Sequence, residues 1–136
     1  MFELYQIAEE NKIEVFSGNI PETKSMSVPG AICLDYRMAF SGAEERTHMG
    51  HELGHCMTGA FYRRSDPVFI RNRAENKVDR WEIMQLVPIY LLRRAQADGH
   101  TDLWDLADYF EVTEDLMEKA LYLYQNGHMP PRYKQK

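Results

Sequence analysis

His51-Glu52-Leu53-Gly54-His55 is the stretch on which the reading of this chain turns. Two histidines four apart on a helix stand one turn above each other, so both imidazoles can converge on one cation. Glu52 projects beside that pair, where its carboxylate can take a proton from a water activated by the metal and pass it to a leaving group. A catalytic metal lowers the pKa of water from about 16 to roughly 7, which makes hydroxide available at neutral pH. The chain has 5 histidines in 136 residues, so this run gathers a recognisable set of catalytic groups in one place. It predicts a helix that carries zinc ligands, and hydrolysis as the chemistry. Gly54 in the middle of such a helix costs about 1 kcal/mol against alanine, so another element is expected to pack closely on it.

Working outward, Ser41-Gly42 introduces this helix from Ala43 to about Thr58, with Glu44 and Glu45 near its positive N-terminus and Gly59 as a stop. Before it, Phe2 to Glu10 has the apolar spacing of a packing helix that Asn11 can end. Ile13 and Val15 alternate with polar neighbours as a short strand does, and a turn at Ser17-Gly18-Asn19 with Pro21 follows. After a polar segment ending at Pro29-Gly30, Ala31 to Leu34 reads as a second strand, with Arg37 to Phe40 able to pair with it through a turn near Asp35-Tyr36. These predict a small antiparallel sheet. Tyr62 to Arg73, rich in charge and containing Pro67, reads as a connecting loop of the kind that borders active sites. Helical patterns resume at Ala74 and run to Pro88, then from Ile89 to about Ala97, where Gly99 closes the helix. Leu103 to Phe110 marks another, and Thr113 caps a last one that ends at Gly127. The fold class is therefore α+β: a small sheet packed on a helical core, with C-terminal helices.

With 44% hydrophobic residues, 136 residues suit one compact domain with a real core, expected over residues 1–127 and followed by a basic tail at 128–136 that is either disordered or in peripheral contact. A formal charge of −5 and a pI near 5.5 disfavour a nucleic-acid backbone as partner and leave a protein or peptide. The first twelve residues carry Glu3, Glu9 and Glu10 and do not read as a secretory signal. The longest apolar stretch, Ile83 to Leu92, is interrupted by Gln85 and Pro88 and falls short of the ~20 residues that cross a bilayer. Cys33 and Cys56 are too few for a disulfide framework. A soluble, cytoplasmic protein is the expectation. Cys56 follows His55 but is turned about 100° from it around the helix, so it reads as a small apolar residue and not a ligand.

A catalytic zinc usually has three protein ligands and one open position. Candidates for the third are Glu75, Asp79, Glu82, Asp66 and His48. Glu75 and Asp79 are four apart, so they share a helix face that can lie against the histidine helix. One can bind metal while the other fixes an imidazole, and Asp79 suits the second role because a metal-bound histidine donates its other N–H to a carboxylate or carbonyl. Tyr62, Arg63 and Arg64 in the adjoining loop are candidates for stabilising an oxyanion.

These residues resemble the ImmA/IrrE family of small zinc metallopeptidases, whose pattern is a His-Glu-Leu-Gly-His helix followed by a helix reading approximately E-x-x-A-D/N-x-F-A-x-x-L-L-x-P. Here Glu75, Asp79 and Pro88 match, Trp81 stands for the aromatic, and Val78 and Glu82 replace two alanines. Leu106 to Thr113 is similar, more weakly, to the family's C-terminal segment, so the likeness covers roughly residues 30–125. The resemblance implies a zincin-like core, His51, His55 and Glu75 as zinc ligands, and Glu52 as general base and acid. It also implies site-specific cleavage of a separate helix-turn-helix transcriptional repressor encoded by a phage or mobile element. The alternative reading is a non-catalytic metal-binding module that sequesters a repressor or toxin, in which Glu52 is dispensable.

Overall fold

The computed structural model of the chain describes residues 2–38 and 41–132. Helix α1 (Phe2–Glu10) buries Leu4 and Ala8, one turn apart, and Asn11 closes its end by donating its side-chain amide to the Ile7 carbonyl at 2.8 Å. Three strands follow, β1 (Glu14–Gly18), β2 (Ser25–Val28) and β3 (Ala31–Asp35). They form a sheet in the order β1-β3-β2.

The sheet is mixed, which corrects the expectation of an antiparallel one. β2 and β3 are an antiparallel hairpin turned at Pro29-Gly30, where Gly30 has φ 85°, and β1 lies parallel to β3 on its other edge. Two reversals of the chain, at residues 19–24 and at 29–30, bring β3 back into the direction of β1. The first reversal is held by Asp35, which accepts from Ile20 N–H at 2.9 Å while its own N–H donates to the Lys24 carbonyl at 2.8 Å. Nor does Arg37 begin a partner strand. Tyr36–Met38 is a 3-10 turn, folded back because Asp35 also accepts the Arg37 backbone N–H at 2.8 Å and its Nε at 2.9 Å; Ala39 and Phe40 lie outside the described residues. β2 itself falls in the polar segment before Pro29-Gly30, where the sequence predicts no strand. Ser25 and Ser27 share the sheet face of Leu34 and Ile32, their partners in register, and that face meets the helices.

Helix α2 (Ala43–Thr58) runs between the sheet and helix α3 (Val68–Leu86), with Met49, Gly50, Leu53 and Gly54 buried. α3 starts six residues before Ala74, so the stretch expected to be loop to Arg73 is helical from Val68. Pro67 precedes the first turn, where the missing N–H costs nothing. Helices α4 (Ile89–Ala97), α5 (Leu103–Phe110) and α6 (Glu114–Asn126) complete the fold, and the Thr113 hydroxyl caps α6 by accepting from Leu116 N–H at 3.3 Å. One hydrophobic cluster runs from Leu4 through Ile32, Leu53, Ile83 and Leu106 to Met129. The segment after Gly127 thus packs into the core at Met129, more deeply than the expected peripheral contact; residues 133–136 lie outside the described residues. Among the described residues no helix is long and apolar enough to cross a membrane.

Candidate metal centre

The two glycines of α2 decide how near α3 can come. A Cβ on Gly54 would stand 2.8 Å from Val78 Cγ1 and 3.1 Å from the Val78 carbonyl oxygen, and one on Gly50 would stand 2.9 Å from both Glu82 Oε2 and Leu86 Cδ1. The close partner that Gly54 predicts is therefore α3. This approach sets Glu75 against both motif histidines: His51 Nε2 is 3.3 Å from Glu75 Oε1, and His55 Nε2 is 3.3 Å from Glu75 Oε2. The two imidazoles stand edge to face with centroids 4.9 Å apart.

Each ligand candidate is oriented from behind. α2 ends in a left-handed Gly59 (φ 70°) that turns the chain back, so that the Ala60 carbonyl lies 2.7 Å from His55 Nδ1. A carbonyl only accepts, so Nδ1 carries a proton there and Nε2 is the nitrogen turned to Glu75. Phe61 stacks on the His55 ring at 5.5 Å, and the Tyr62 hydroxyl donates to Glu75 Oε2 at 2.6 Å. Burial pushes the Glu75 carboxyl up, but the His55 hydrogen bond, the His51 charge and the Tyr62 hydroxyl outweigh it and hold Glu75 at about 2. Burial likewise pushes His55 down, and Glu75 with the Ala60 carbonyl reverses it, so His55 ends above its ordinary 6.5. Tyr62 is pushed up to about 12 by burial and then by Glu75, so it stays a neutral donor.

His51 Nδ1 faces a second pair of acids on α3, Asp79 Oδ1 at 3.8 Å and Glu82 Oε1 at 4.0 Å. Among the described residues, two sets of donor atoms could thus hold a cation, His51-His55-Glu75 and His51-Asp79-Glu82. The second is the poorer one. Asp79 Oδ2 already faces Lys119 Nζ at 3.4 Å and the Arg132 guanidinium, so a cation would meet two positive neighbours there. Glu82 is 1% exposed, Oε2 has no hydrogen-bond partner among the described residues, and burial first, then the Asp79 charge, raises its acid well above the ordinary range. A neutral acid is a weak metal ligand. The first set has two imidazole nitrogens and an anionic carboxylate turned to one another, which suits zinc.

Glu52, 6% exposed, turns toward β2: Ser25 Oγ donates to its Oε2 at 2.7 Å and Ser27 Oγ to its Oε1 at 2.5 Å. Ser25 Oγ is also 3.0 Å from His48 Nδ1, so His48 supports the carboxylate's neighbour and does not join the ligand set. Sequence reasoning missed both serines. The signal was present as an i, i+2 pair preceding the Pro29-Gly30 turn, which is strand spacing with polar residues on the inward face. Of the other candidates, Asp66 accepts from Arg63 N–H at 2.7 Å in a turn, Arg63 and Arg64 are exposed, and Cys56 Sγ lies 3.5 Å from the Val28 carbonyl. Tyr62 alone of the three loop candidates reaches the site.

His48, His51, Glu52, Tyr62, Glu75 and Arg132 all border one cleft of about 1040 Å³, roomy enough for several residues of an extended peptide. In comparisons with family models, curated proteins and solved structures, nothing matches this chain.

Proposed function

We propose that this protein is a zinc metallopeptidase of the ImmA/IrrE type that cuts a protein substrate in the cleft between β2, α2 and α3. The observation that carries the reading is the pair of 3.3 Å approaches of His51 Nε2 and His55 Nε2 to the two oxygens of Glu75. That is the two-histidine, one-glutamate donor set of catalytic zinc peptidases, built on a zincin-like pair of helices. His51, His55 and Glu75 would hold a zinc ion, which would supply Lewis acidity to a scissile carbonyl and to water near neutral pH. Glu52 accepts the proton of the attacking water and returns it to the leaving amide nitrogen. Its two serine bonds leave that capacity intact, because each carboxylate oxygen has a second lone pair. They also fix the carboxylate's rotation, which is the preorganisation a general base needs. The single Tyr62 O–H donates to Glu75 in this structure, and a turn away from that bond toward the cleft would let this neutral donor serve an oxyanion.

The substrate proposed with this reading is a separate helix-turn-helix repressor of a phage or mobile element, cut at one site in the cytoplasm. The chain's charge of −5 agrees with a protein partner and not with direct nucleic-acid binding. One observation favours the alternative of a metal-binding module that sequesters its partner: both Glu52 oxygens are engaged by Ser25 and Ser27, as a purely structural glutamate's would be. Glu52→Gln separates the two. Purified protein is expected to hold about one zinc, and the variant to keep it while the partner, incubated with it, stays at full mass. Cleavage by the variant at unchanged metal content overturns the mechanism, and an intact partner co-eluting with the wild-type protein supports sequestration.

A further inference from the structure

We propose that Arg132, in the segment that follows α6, is a positioning residue for His51, acting through Asp79; the inference rests on the metal reading above. The segment is anchored before it reaches the site. Met129 is buried in the core, and the His128 ring stands edge to face with Tyr122 at 5.7 Å. Arg132 then returns to α3, where its side chain is only 10% exposed. Its Nε donates to Asn76 Oδ1 at 2.6 Å and its Nη2 to Asp79 Oδ2. Asn76 and Asp79 are three apart and so neighbours on one helix face, which a planar guanidinium can bridge with two donors in fixed relation.

The consequence falls on the other Asp79 oxygen. With Oδ2 taken by Arg132 and by Lys119, Oδ1 is the oxygen turned to His51 Nδ1, at 3.8 Å. A carboxylate behind a metal-binding imidazole fixes the ring's orientation, provided it is itself held in place. Asp79 is 2% exposed, so its aim is set by the groups that meet it inside the protein. Lys119 is a 38% exposed ammonium on a flexible stem, whereas the Arg132 side chain is 10% exposed and braced by Asn76. The segment from His128 to Arg132 thus becomes part of the site: it adds Arg132 to the lining of the cleft and braces the carboxylate behind its first histidine.

The experiment measures zinc affinity of the full chain by competition with a chromogenic chelator, and the visible absorption of the cobalt-loaded protein. The proteins compared are wild type, Arg132→Gln, Arg132→Lys, Asp79→Asn and the Arg132→Gln/Asp79→Asn double variant. Arg132→Gln is expected to weaken zinc about tenfold and to shift the cobalt bands. Arg132→Lys, which keeps the charge and loses the fork, recovers only part of the loss. In the Asp79→Asn background the Gln substitution changes affinity by less than about twofold, because the route through Asp79 is already cut. Unchanged affinity and cobalt bands in Arg132→Gln, whatever happens to its thermal stability, overturn the proposal, as does an equal loss in both backgrounds. If Asp79→Asn fails to fold, the cobalt bands of the two single Arg132 variants decide by themselves. Wild-type protein that takes up no zinc overturns the metal reading, and this role with it.

Discussion

The distance between α2 and α3 is fixed at single residues. At Gly54 the neighbours of an added methyl are Val78 Cγ1 at 2.8 Å and the Val78 carbonyl oxygen at 3.1 Å, a backbone atom that cannot move without the helix. At Gly50 they are side-chain atoms of Glu82 and Leu86, with no backbone atom among the nearest three. Gly54→Ala therefore loses about 1–3 kcal/mol to overpacking and regains about 1 kcal/mol of helix propensity, so urea denaturation should find it destabilised and zinc titration should find weaker binding. Gly50→Ala should lie within about 1 kcal/mol of wild type. Equal behaviour of the two would mean that backbone approach does not set the helix spacing. Glu82 makes a second prediction at this scale. A carboxyl whose folded pKa is raised contributes stability that is present below its unfolded value, near 4.5, and lost as pH rises through the folded value. Glu82→Gln, which cannot ionise, should therefore gain on wild type as pH rises from 4.5 to 8, and parallel stability curves would refute the assignment.

At the scale of the element, β2 is what turns Glu52 into a defined group. Removing either hydroxyl leaves one oxygen of a buried carboxylate short of a donor, which costs about 1–3 kcal/mol. Ser25→Ala and Ser27→Ala should each lower stability by about that much, and the double variant should lower kcat with KM little changed, because the base and not the binding surface is disturbed. A raised KM at constant kcat would make β2 a substrate rail only. This strand is also where the sequence was hardest to read. Amphipathic helices with clear ends, such as α1 with Asn11 and α6 between Thr113 and Gly127, are legible because end signal and periodicity agree. So is the His51-Glu52-His55 face, since i, i+4 spacing needs no tertiary information. β2 hides because its alternation is turned inside out: Ser25 and Ser27 face inward to the carboxylate they meet, while Met26 and Val28 lie exposed. Pro67 hides the start of α3 in the same way, since it breaks a helix or opens one according to position. The parallel pairing of β1 with β3 depends on Asp35 holding the loop at residues 19–24, a contact between distant residues that no local pattern encodes. Arg132 is legible only as part of a basic tail, because its partners lie 53 and 56 residues away.

Across the whole molecule, a cation between α2 and α3 would join the two halves of one core, so its binding energy becomes folding energy. At free zinc 100 times Kd the gain is about 2.7 kcal/mol, which for a domain of this size raises Tm by roughly 10 °C. The pH dependence of that gain has a definite sign. In the metal-free protein Glu75 and His55 stabilise each other. Glu75, held at about 2, contributes above its unfolded value of 4.5 and loses that contribution as pH falls toward 2. His55, raised above 6.5, contributes fully below 6.5 and loses it as pH rises through its folded value. The metal-free form is thus favoured by this pair between about 4.5 and 6.5, and weakens above it. Zinc behaves oppositely, since it binds the deprotonated imidazole and must displace a proton from His55 below that histidine's pKa. Thermal unfolding with excess chelator and with zinc should accordingly give two curves that lie close near pH 5.5 and separate as pH rises to 8. Glu75→Gln should collapse the separation, because it removes both the partner of His55 and the third ligand. Curves that stay parallel from pH 5.5 to 8 would mean that zinc, if bound, does not use His55.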